Sequence, residues 1–293
     1  MTQLMEPVLV GMLHAAPDPE CPFCPGKKNT KHYTTFAGAD NSSSKLAKLI
    51  ETPSKLGTSV EADARPKDGK MGKDDQPNQA LADDPQKKLL AVSNGDRYWS
   101  FQAHHAISGN QCLGGHAVEK YIKAGAKVVY DTGYSVNNPE NGVWLPSAPK
   151  GKRYDPSDPG KALWGSKTEK QKFASAKNAM DKFNAQFHLA DHDIPADVDG
   201  LDPAVHSNYV QYVKGLLTDL AATLGKWEIA CPNKEANGKH RGNPRIHSAL
   251  DCWSRVVIGK LKGSPLIWTI FISAHARDYT RKMRKPSVKL DFE

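Results

Sequence analysis

Two adjacent histidines, His104 and His105, are the residues whose type and position most directly suggest chemistry. They stand in the stretch FQAHHAISGNQCLGG, residues 101–115, just after a run in which aromatic and polar residues alternate. A buried imidazole is costly to desolvate unless it shares a hydrogen-bond partner or a cation. The pair is therefore structural, metal-binding or catalytic, and the choice depends on which other residues the fold brings to it.

The elements that must position this pair can be predicted from local patterns. The alternation in RYWSFQAHHAIS predicts a β-strand that runs into the two histidines, and GVWLP, after an Asn/Pro/Gly turn, predicts a second short strand. The spacing of Phe and Met in KTEKQKFASAKNAMDKFNAQFH predicts a long helix. GGHAVEKYIKAGAK predicts a short helix, and PLIWTIFIS predicts a further strand.

The clearest helix is DPAVHSNYVQYVKGLLTDLAATLG, for which Asp202 is the expected N-cap and Gly225 the expected stop. His206 precedes Val210 by four residues, so it is predicted to share the inward face and to reach the histidine pair. The alternative is an ordinary half-buried histidine with a backbone partner. The inward stripe comprises Val210, Val213, Leu217, Leu220 and Leu224.

Composition divides the 293 residues into three regions. Residues 1–95 contain too few large apolar side chains to form a core, which predicts an extended arm or a loading or adaptor segment. Residues 96–225 carry the motifs and are the predicted core, and residues 226–293 are predicted to be a basic helical extension of the same domain. We expect neither a membrane span nor a signal peptide, because the apolar runs are short and the start lacks a basic segment.

The net charge of +8 is concentrated in the last quarter of the chain. Between Lys226 and Glu293 there are 14 Lys and Arg against 6 Asp and Glu, a difference of 8. A basic surface of this kind suits a polyanion such as nucleic acid. A solvated basic tail and a docking surface for an acidic protein remain the alternatives.

The five cysteines are too few and too scattered for a disulfide scaffold, which favours a reducing compartment. Cys21 and Cys24 form a CxxC pair, which is half of a zinc site. The other half would have to come from distant residues such as Cys231 or Cys252, and reduced cysteines without a metal are the alternative.

Three motifs in order, AHHAIS at 103–108, NPENGVWLP at 138–146 and HSNYVQYV at 206–213, resemble the AHH group of bacterial toxin nucleases. These nucleases are relatives of the HNH and endonuclease VII enzymes, the His-Me finger class. The resemblance covers about 110 residues and implies an α+β fold, with a small ββα-metal core embedded in a mainly helical shell.

By resemblance, His104 takes a metal-ligand position, His105 the general-base position, and Asn141 orients the finger loop or His105 through hydrogen bonds. The implied cofactor is one divalent metal ion, with Mg or Mn expected and Zn or Ni usable in vitro. A cation on the scissile phosphate and a neutral imidazole that takes a proton from water are what phosphodiester hydrolysis requires.

The last ligand stays open, because this sequence departs from the family pattern. Many relatives have a tight His-x-x-x-His run before the tyrosine of the last helix, whereas here an acidic insertion separates three histidines. The ligand is His206, which we favour, or the pair His188 and His192, which would share a face if the preceding helix continued through them. Asp191 or Asp193 could join them.

The resemblance implies a metal-dependent nuclease, most simply a non-specific DNase, that acts as an antibacterial toxin. Its expected partners are DNA or RNA, a cognate immunity protein and a secretion-system component or adaptor, and its expected route leads from the producing cytoplasm to that of a target cell. A non-catalytic nucleic-acid-binding or structural protein with a zinc-stapled histidine cluster, and a metal-dependent hydrolase of another substrate, are the alternatives. The expected phosphate-binding residues are Arg241, Arg245, Arg277, Arg281 and Arg284.

Overall fold

The computed structural model describes residues 21–24, 41–51, 100–148, 164–165, 167–189, 192–195, 208–235, 237–242 and 245–291. Within these ranges the protein combines α-helices with a two-stranded antiparallel sheet, in agreement with the expected α+β class. In chain order the elements are α1 (Ser43–Glu51), β1 (Ser100–His105), β2 (Gly142–Ser147), α2 (Glu169–Phe183), α3 (Tyr209–Ala230), α4 (Arg245–Leu261) and α5 (Ala274–Arg284).

The two predicted strands around the histidine pair are confirmed, and they pair with each other. In the register of β1 and β2, His104 lies opposite Val143 and His105 lies opposite Gly142. Helix α1 covers one face of this sheet through Leu46 and Ile50. A Cβ on Gly142 would lie only 2.5 Å from the Cδ1 atom of Ile50, so glycine is what allows the helix to approach the end of β2 so closely.

Helix α3 forms the opposite wall of the core, and all five residues of its predicted inward stripe are buried. The predicted ends of this helix are wrong. Asn208 is the N-cap, because its backbone is extended and its side chain accepts a hydrogen bond from the Gln211 N–H. The helix passes through Gly225 and continues to Ala230, since an interior glycine costs only about 1 kcal/mol relative to alanine.

Helix α2 begins at a Thr168 capping box and ends earlier than the sequence predicts, at Phe183. Asn184 adopts the left-handed conformation (φ 48°) that terminates it. The chain then runs along the edge of β2 that is not paired with β1, where the His188 N–H donates to the Pro146 carbonyl at 2.7 Å. This path brings the residues after α2 to the histidine end of the sheet.

Two further local predictions differ from the structure, the first entirely and the second in part. PLIWTIFIS contains no strand, because the side chain of Gln186 binds its backbone instead: Nε2 donates to the Ile270 carbonyl, and Oε1 accepts from the Ile272 N–H. The stretch GGHAVEKYIKAGAK does form a short helix, but it is a 3₁₀ helix, Ala117–Tyr121, that ends before the expected Gly125.

The described parts of the N-terminal region belong to the packing of the core. Cys21, Phe23 and Cys24 lie in the main hydrophobic cluster together with residues of α3 and α4, while α1 packs on the sheet. The expected boundary at residue 226 falls inside α3. None of the helices described here is long and apolar enough to cross a membrane.

Candidate metal centre

Three imidazoles meet at the end of the sheet: those of His104, His188 and His192. Each offers one ring nitrogen, and the three atoms lie within 4.8 Å of one another. We call this set the histidine cluster. His104 and His188 are buried, and His192 is half-buried. Three imidazoles that converge at this distance can bind one transition-metal ion.

Strand alternation explains why only one of the adjacent histidines belongs to this cluster. Successive side chains of β1 point to opposite faces of the sheet. His104 points towards α3, where its ring lies 5.6 Å from that of Tyr209. His105 shares the other face with Ala103, which packs on α1.

The loop between α2 and α3 supplies the other two rings. The Nε2 atoms of His188 and His192 are 3.2 Å apart. Two ligands at about 2.05 Å from one tetrahedral ion are about 3.3 Å apart, so this separation fits two nitrogens on a shared cation. The sequence spacing of four residues was expected to act through a helix. Helix α2 ends at Phe183, before either residue, so the two rings meet without lying on a common helix.

Neighbouring side chains select the tautomers of two of these histidines. The Tyr209 hydroxyl donates to the Ala106 carbonyl at 2.8 Å, so it accepts from His104 Nε2 at 3.1 Å, which makes Nδ1 the basic nitrogen of that ring. Likewise, His192 Nδ1 donates to Gln111 Oε1 at 3.0 Å, so Nε2 is the basic nitrogen of His192. Outer-shell contacts of this kind orient histidine ligands at metal sites.

Burial, the largest cause, holds the pKa of His104 well below its usual value, and the neighbouring His188 and His192 lower it further. The ring is therefore neutral at physiological pH. A neutral imidazole is the form that can bind a cation.

His105, the expected general base, is fixed by an asparagine that the sequence reasoning missed. Asn137 Oδ1 accepts the Ser42 N–H at 3.2 Å and lies 2.8 Å from His105 Nε2. Because a backbone N–H can only donate, the asparagine atom that faces His105 is an acceptor. His105 Nε2 therefore carries the proton, and Nδ1 is the basic nitrogen of the neutral ring.

Asn141 organises the loop that follows β1. Its Oδ1 accepts from the Ile107 N–H at 2.7 Å and from the Ser254 hydroxyl at 2.9 Å, and its Nδ2 donates to the Ile107 and Val136 carbonyls, both at 2.9 Å. Of the two roles considered for it, these bonds match loop orientation, while Asn137 is the residue that contacts His105.

His206 and Asp191 lie outside the described residues, as does Asp202. Asp193 is described and exposed, and it is not a member of the histidine cluster. Among the described residues, the structure thus brings the pair His188 and His192 to His104.

The expected phosphate-binding arginines divide into two groups. Arg277, Arg281 and Arg284 follow one another at spacings of four and three on α5, so they share one face of that helix. Arg277 and Arg281 flank Asp278, with nitrogen–oxygen distances of 3.1 and 3.9 Å. Arg241 is exposed in the segment before α4, and Arg245 is the first residue of α4.

A second group of ligand atoms lies at the far end of α3. The sulfurs of Cys21, Cys24 and Cys231, which we call the cysteine cluster, lie within 4.8 Å of one another, and all five cysteines of the chain are reduced. Of the two distant cysteines considered, Cys231 is the one that joins the pair, and Cys252 lies elsewhere in α4.

Gln111 and Asn137 are the two site residues that sequence reasoning missed. Gln111 belongs to a π-helical turn whose contact with His192 spans 81 residues of sequence. Asn137 stands in an Asn/Pro turn, and its contact with the Ser42 N–H, just before α1, spans 95 residues of sequence. Neither residue carries a local signal of its role.

Comparisons with known proteins do not extend these observations. No family model matches the chain, and neither a curated protein nor a solved structure matches it. The resemblance to AHH nucleases therefore rests on the three sequence motifs alone.

Proposed function

We propose that this protein is a metal-dependent nuclease in which His104, His188 and His192 hold one divalent cation and His105 is the general base. The observation that carries the proposal is the convergence of the first histidine of the AHH motif with two distant histidines, at ligand spacing and with tautomers set by neighbours. A buried cluster of three imidazoles gains most from a shared cation, because each neutral ring alone would need its own hydrogen-bond partners.

The donor set bears on which metal is bound. All three described ligands are nitrogens, which suit Zn²⁺ or Ni²⁺, whereas Mg²⁺ and Mn²⁺ prefer oxygen ligands. We therefore place Zn²⁺ or Ni²⁺ ahead of the Mg²⁺ or Mn²⁺ that the resemblance led us to expect. When bound, the cation supplies positive charge to a phosphate oxygen and to the leaving oxygen.

The chain's own residues would carry the proton transfer. His105 takes a proton from the attacking water at Nδ1, while Asn137 holds the protonated Nε2 and stabilises the imidazolium that results. His104 and His105 are neighbours at the end of β1, and their side chains point to opposite faces of the sheet. The nuclease proposal therefore requires a phosphate that binds at the end of β1, where it can reach from the face of His104 to that of His105.

Binding of the polymer would rest on the basic C-terminal quarter. The arginines on one face of α5 carry positive charge of the kind that contacts phosphates of any sequence, although Arg277 and Arg281 also pair with Asp278. The proposal also includes the role of an antibacterial toxin with a cognate immunity protein. It further includes a ββα-metal core formed by β1, β2 and the segment that carries His188 and His192.

A structural zinc site in a non-catalytic protein is the second candidate. It is favoured by the burial of His104, which is only 3% exposed, because closed sites are typical of structural zinc. In that case His105, which is outside the cluster, would have no chemical role.

Cleavage of supercoiled plasmid and of RNA by wild type and His105→Ala, each with Mn²⁺, Zn²⁺, Ni²⁺, Mg²⁺ or EDTA, separates the two candidates. The nuclease proposal predicts metal-dependent cleavage by wild type and a loss of about 10³-fold in the variant, at unchanged metal content and thermal stability. Equal nucleic-acid binding by both proteins, without cleavage under any metal, would establish the structural alternative.

A further inference from the structure

The CxxC turn and the end of α3 meet in a buried group of sulfur atoms that the proposed nuclease chemistry does not use. Cys21, Cys24 and Cys231 are at most 1% exposed, and Cys24 and Cys231 are separated by 207 positions of sequence. Cys231 is the C-cap residue of α3, and its N–H donates to the Trp227 carbonyl. The cluster therefore joins the N-terminal region to the helix that carries Tyr209 at its other end.

The sulfur spacing matches a metal site and differs from a disulfide. Cys24 Sγ and Cys231 Sγ are 3.9 Å apart. A disulfide would require about 2.05 Å. Two thiolates bound at about 2.3 Å to one tetrahedral Zn²⁺ are about 3.8 Å apart, which is close to the separation seen here.

Each of the three sulfurs also faces an N–H donor. The Phe23 N–H donates to Cys21 Sγ at 3.4 Å, the Asn233 side-chain Nδ2 donates to Cys24 Sγ at 2.9 Å, and the Asn233 backbone N–H donates to Cys231. Neutral thiols are weak acceptors, whereas thiolates accept strongly. Donors aimed at all three sulfurs form the outer shell that a thiolate–metal site needs.

The packing around the turn fixes it in place. Phe23, between the two cysteines of the CxxC pair, stacks on the ring of His240 with centroids 4.3 Å apart. The nitrogens of that ring face backbone carbonyls, Nδ1 that of Asn233 at 2.9 Å and Nε2 that of Glu228 at 3.2 Å. His240 is thus held as a packing partner rather than as a ligand, and the described chain supplies three ligands.

We propose that Cys21, Cys24 and Cys231 bind a structural Zn²⁺ that fastens the N-terminal CxxC turn to the C-terminal end of α3. A tetrahedral zinc site of this kind would need one donor besides these three. This site is chemically distinct from the histidine cluster, because it is sulfur-rich and closed, and it is independent of whether the protein cleaves nucleic acid.

Metal analysis of the full-length protein, purified under reducing conditions without chelator, tests the proposal. Wild type should contain one equivalent of zinc that is released by a thiol-modifying reagent. Cys24→Ser should lose that equivalent, whereas Cys252→Ser, a matched change at a cysteine outside the cluster, should keep it. His104→Ala should also keep it, which separates this site from the histidine cluster.

Cobalt substitution of the wild type provides a second readout that does not depend on the folding of a variant. Co²⁺ bound to the cysteine cluster should show sulfur-to-cobalt charge-transfer absorption, which nitrogen ligands alone cannot produce. Absence of both thiol-releasable zinc and this absorption in the reduced wild type would overturn the proposal. A Cys24–Cys231 disulfide in the freshly purified protein, detected by mass spectrometry, would overturn it as well.

Discussion

The histidine cluster lies at the end of the sheet with one half-buried member, whereas the sulfurs of the cysteine cluster are enclosed in the main core. The first set has nitrogen ligands, and side chains fix the tautomers of two of them, Tyr209 that of His104 and Gln111 that of His192. The second has sulfur ligands that face two backbone N–H groups and one side-chain amide. Partial exposure and nitrogen ligands suit an ion that exchanges and meets substrate, while closure and sulfur suit an ion that holds the fold.

The largest expected effect comes from His104→Ala. Removing one of three ligands should abolish metal binding at the histidine cluster and reduce cleavage more than about 10³-fold. The cysteine-bound metal should remain, because the two clusters share no residue. Metal content by mass spectrometry and plasmid cleavage measure both effects on one sample, and a variant that still cleaves with bound metal would remove His104 from the ligand set.

Cys231→Ser should produce the opposite pattern. Loss of the cross-link between the CxxC turn and α3 should lower stability by about 3 kcal/mol, or roughly 9 °C in Tm. Below its own Tm, the folded variant should cleave nucleic acid at the wild-type rate. Thermal unfolding with and without added zinc provides the measurement, and equal Tm values for this variant and Cys252→Ser would contradict the difference between the clusters.

Asn141→Ala probes the loop that both candidate functions need. The substitution removes four buried hydrogen bonds, which join the Asn141 side chain to Ile107 after β1, to Val136 and to Ser254 of α4. We expect the free energy of unfolding to fall by about 2 kcal/mol. Urea unfolding measures this loss. Among the described contacts, Asn141 touches no member of the histidine cluster. Under conditions in which the variant is fully folded, its affinity for metal should therefore stay close to that of wild type.

Tyr209→Phe tests the outer shell of the histidine cluster. Without the hydroxyl, His104 Nε2 loses its acceptor, and metal affinity should fall about 10-fold. Tyr212→Phe is the matched control, since Tyr212 packs on Trp268 one turn further along α3. Isothermal titration with Mn²⁺ or Zn²⁺ compares the two, and an equal affinity in both variants would exclude tautomer selection by Tyr209.

His275, a half-buried histidine outside both clusters, offers the smallest effect. Burial, the largest cause, lowers its pKa, and within the described residues its Nδ1 has no hydrogen-bond partner. The unfolded chain therefore binds more protons, so stability present above about pH 6.5 is lost as pH falls through that value towards the folded pKa. His275→Leu should flatten this decline by less than about 1 kcal/mol in urea unfolding between pH 5 and 7; an unchanged slope would show that other groups cause it.

The parts of the fold that follow from local pattern were predictable from the sequence. Strand alternation located β1, and the helical stripe located the buried face of α3, because both depend on side-chain periodicity alone. The convergence of His188 on His104 was not predictable in this way. It depends on the left-handed Asn184 and on a backbone bond to Pro146, which are features of tertiary structure.

The same limit applies to the cysteines and to the C-terminal region. The CxxC pair is visible in the sequence, but its partner lies 207 residues from Cys24 and was only one of two candidates. PLIWTIFIS has the composition of a strand, yet Gln186 takes the place of a neighbouring strand. Tertiary contacts override β-propensity there.

The most direct test of the central claim is a metal titration of plasmid cleavage by wild-type protein after brief EDTA treatment. The account predicts no cleavage at first, recovery that saturates at one added equivalent of Mn²⁺, Zn²⁺ or Ni²⁺ per chain, and a thiolate-bound ion that stays in place throughout. Cleavage that persists without the exchangeable metal, or that no metal restores, would contradict a catalytic histidine cluster.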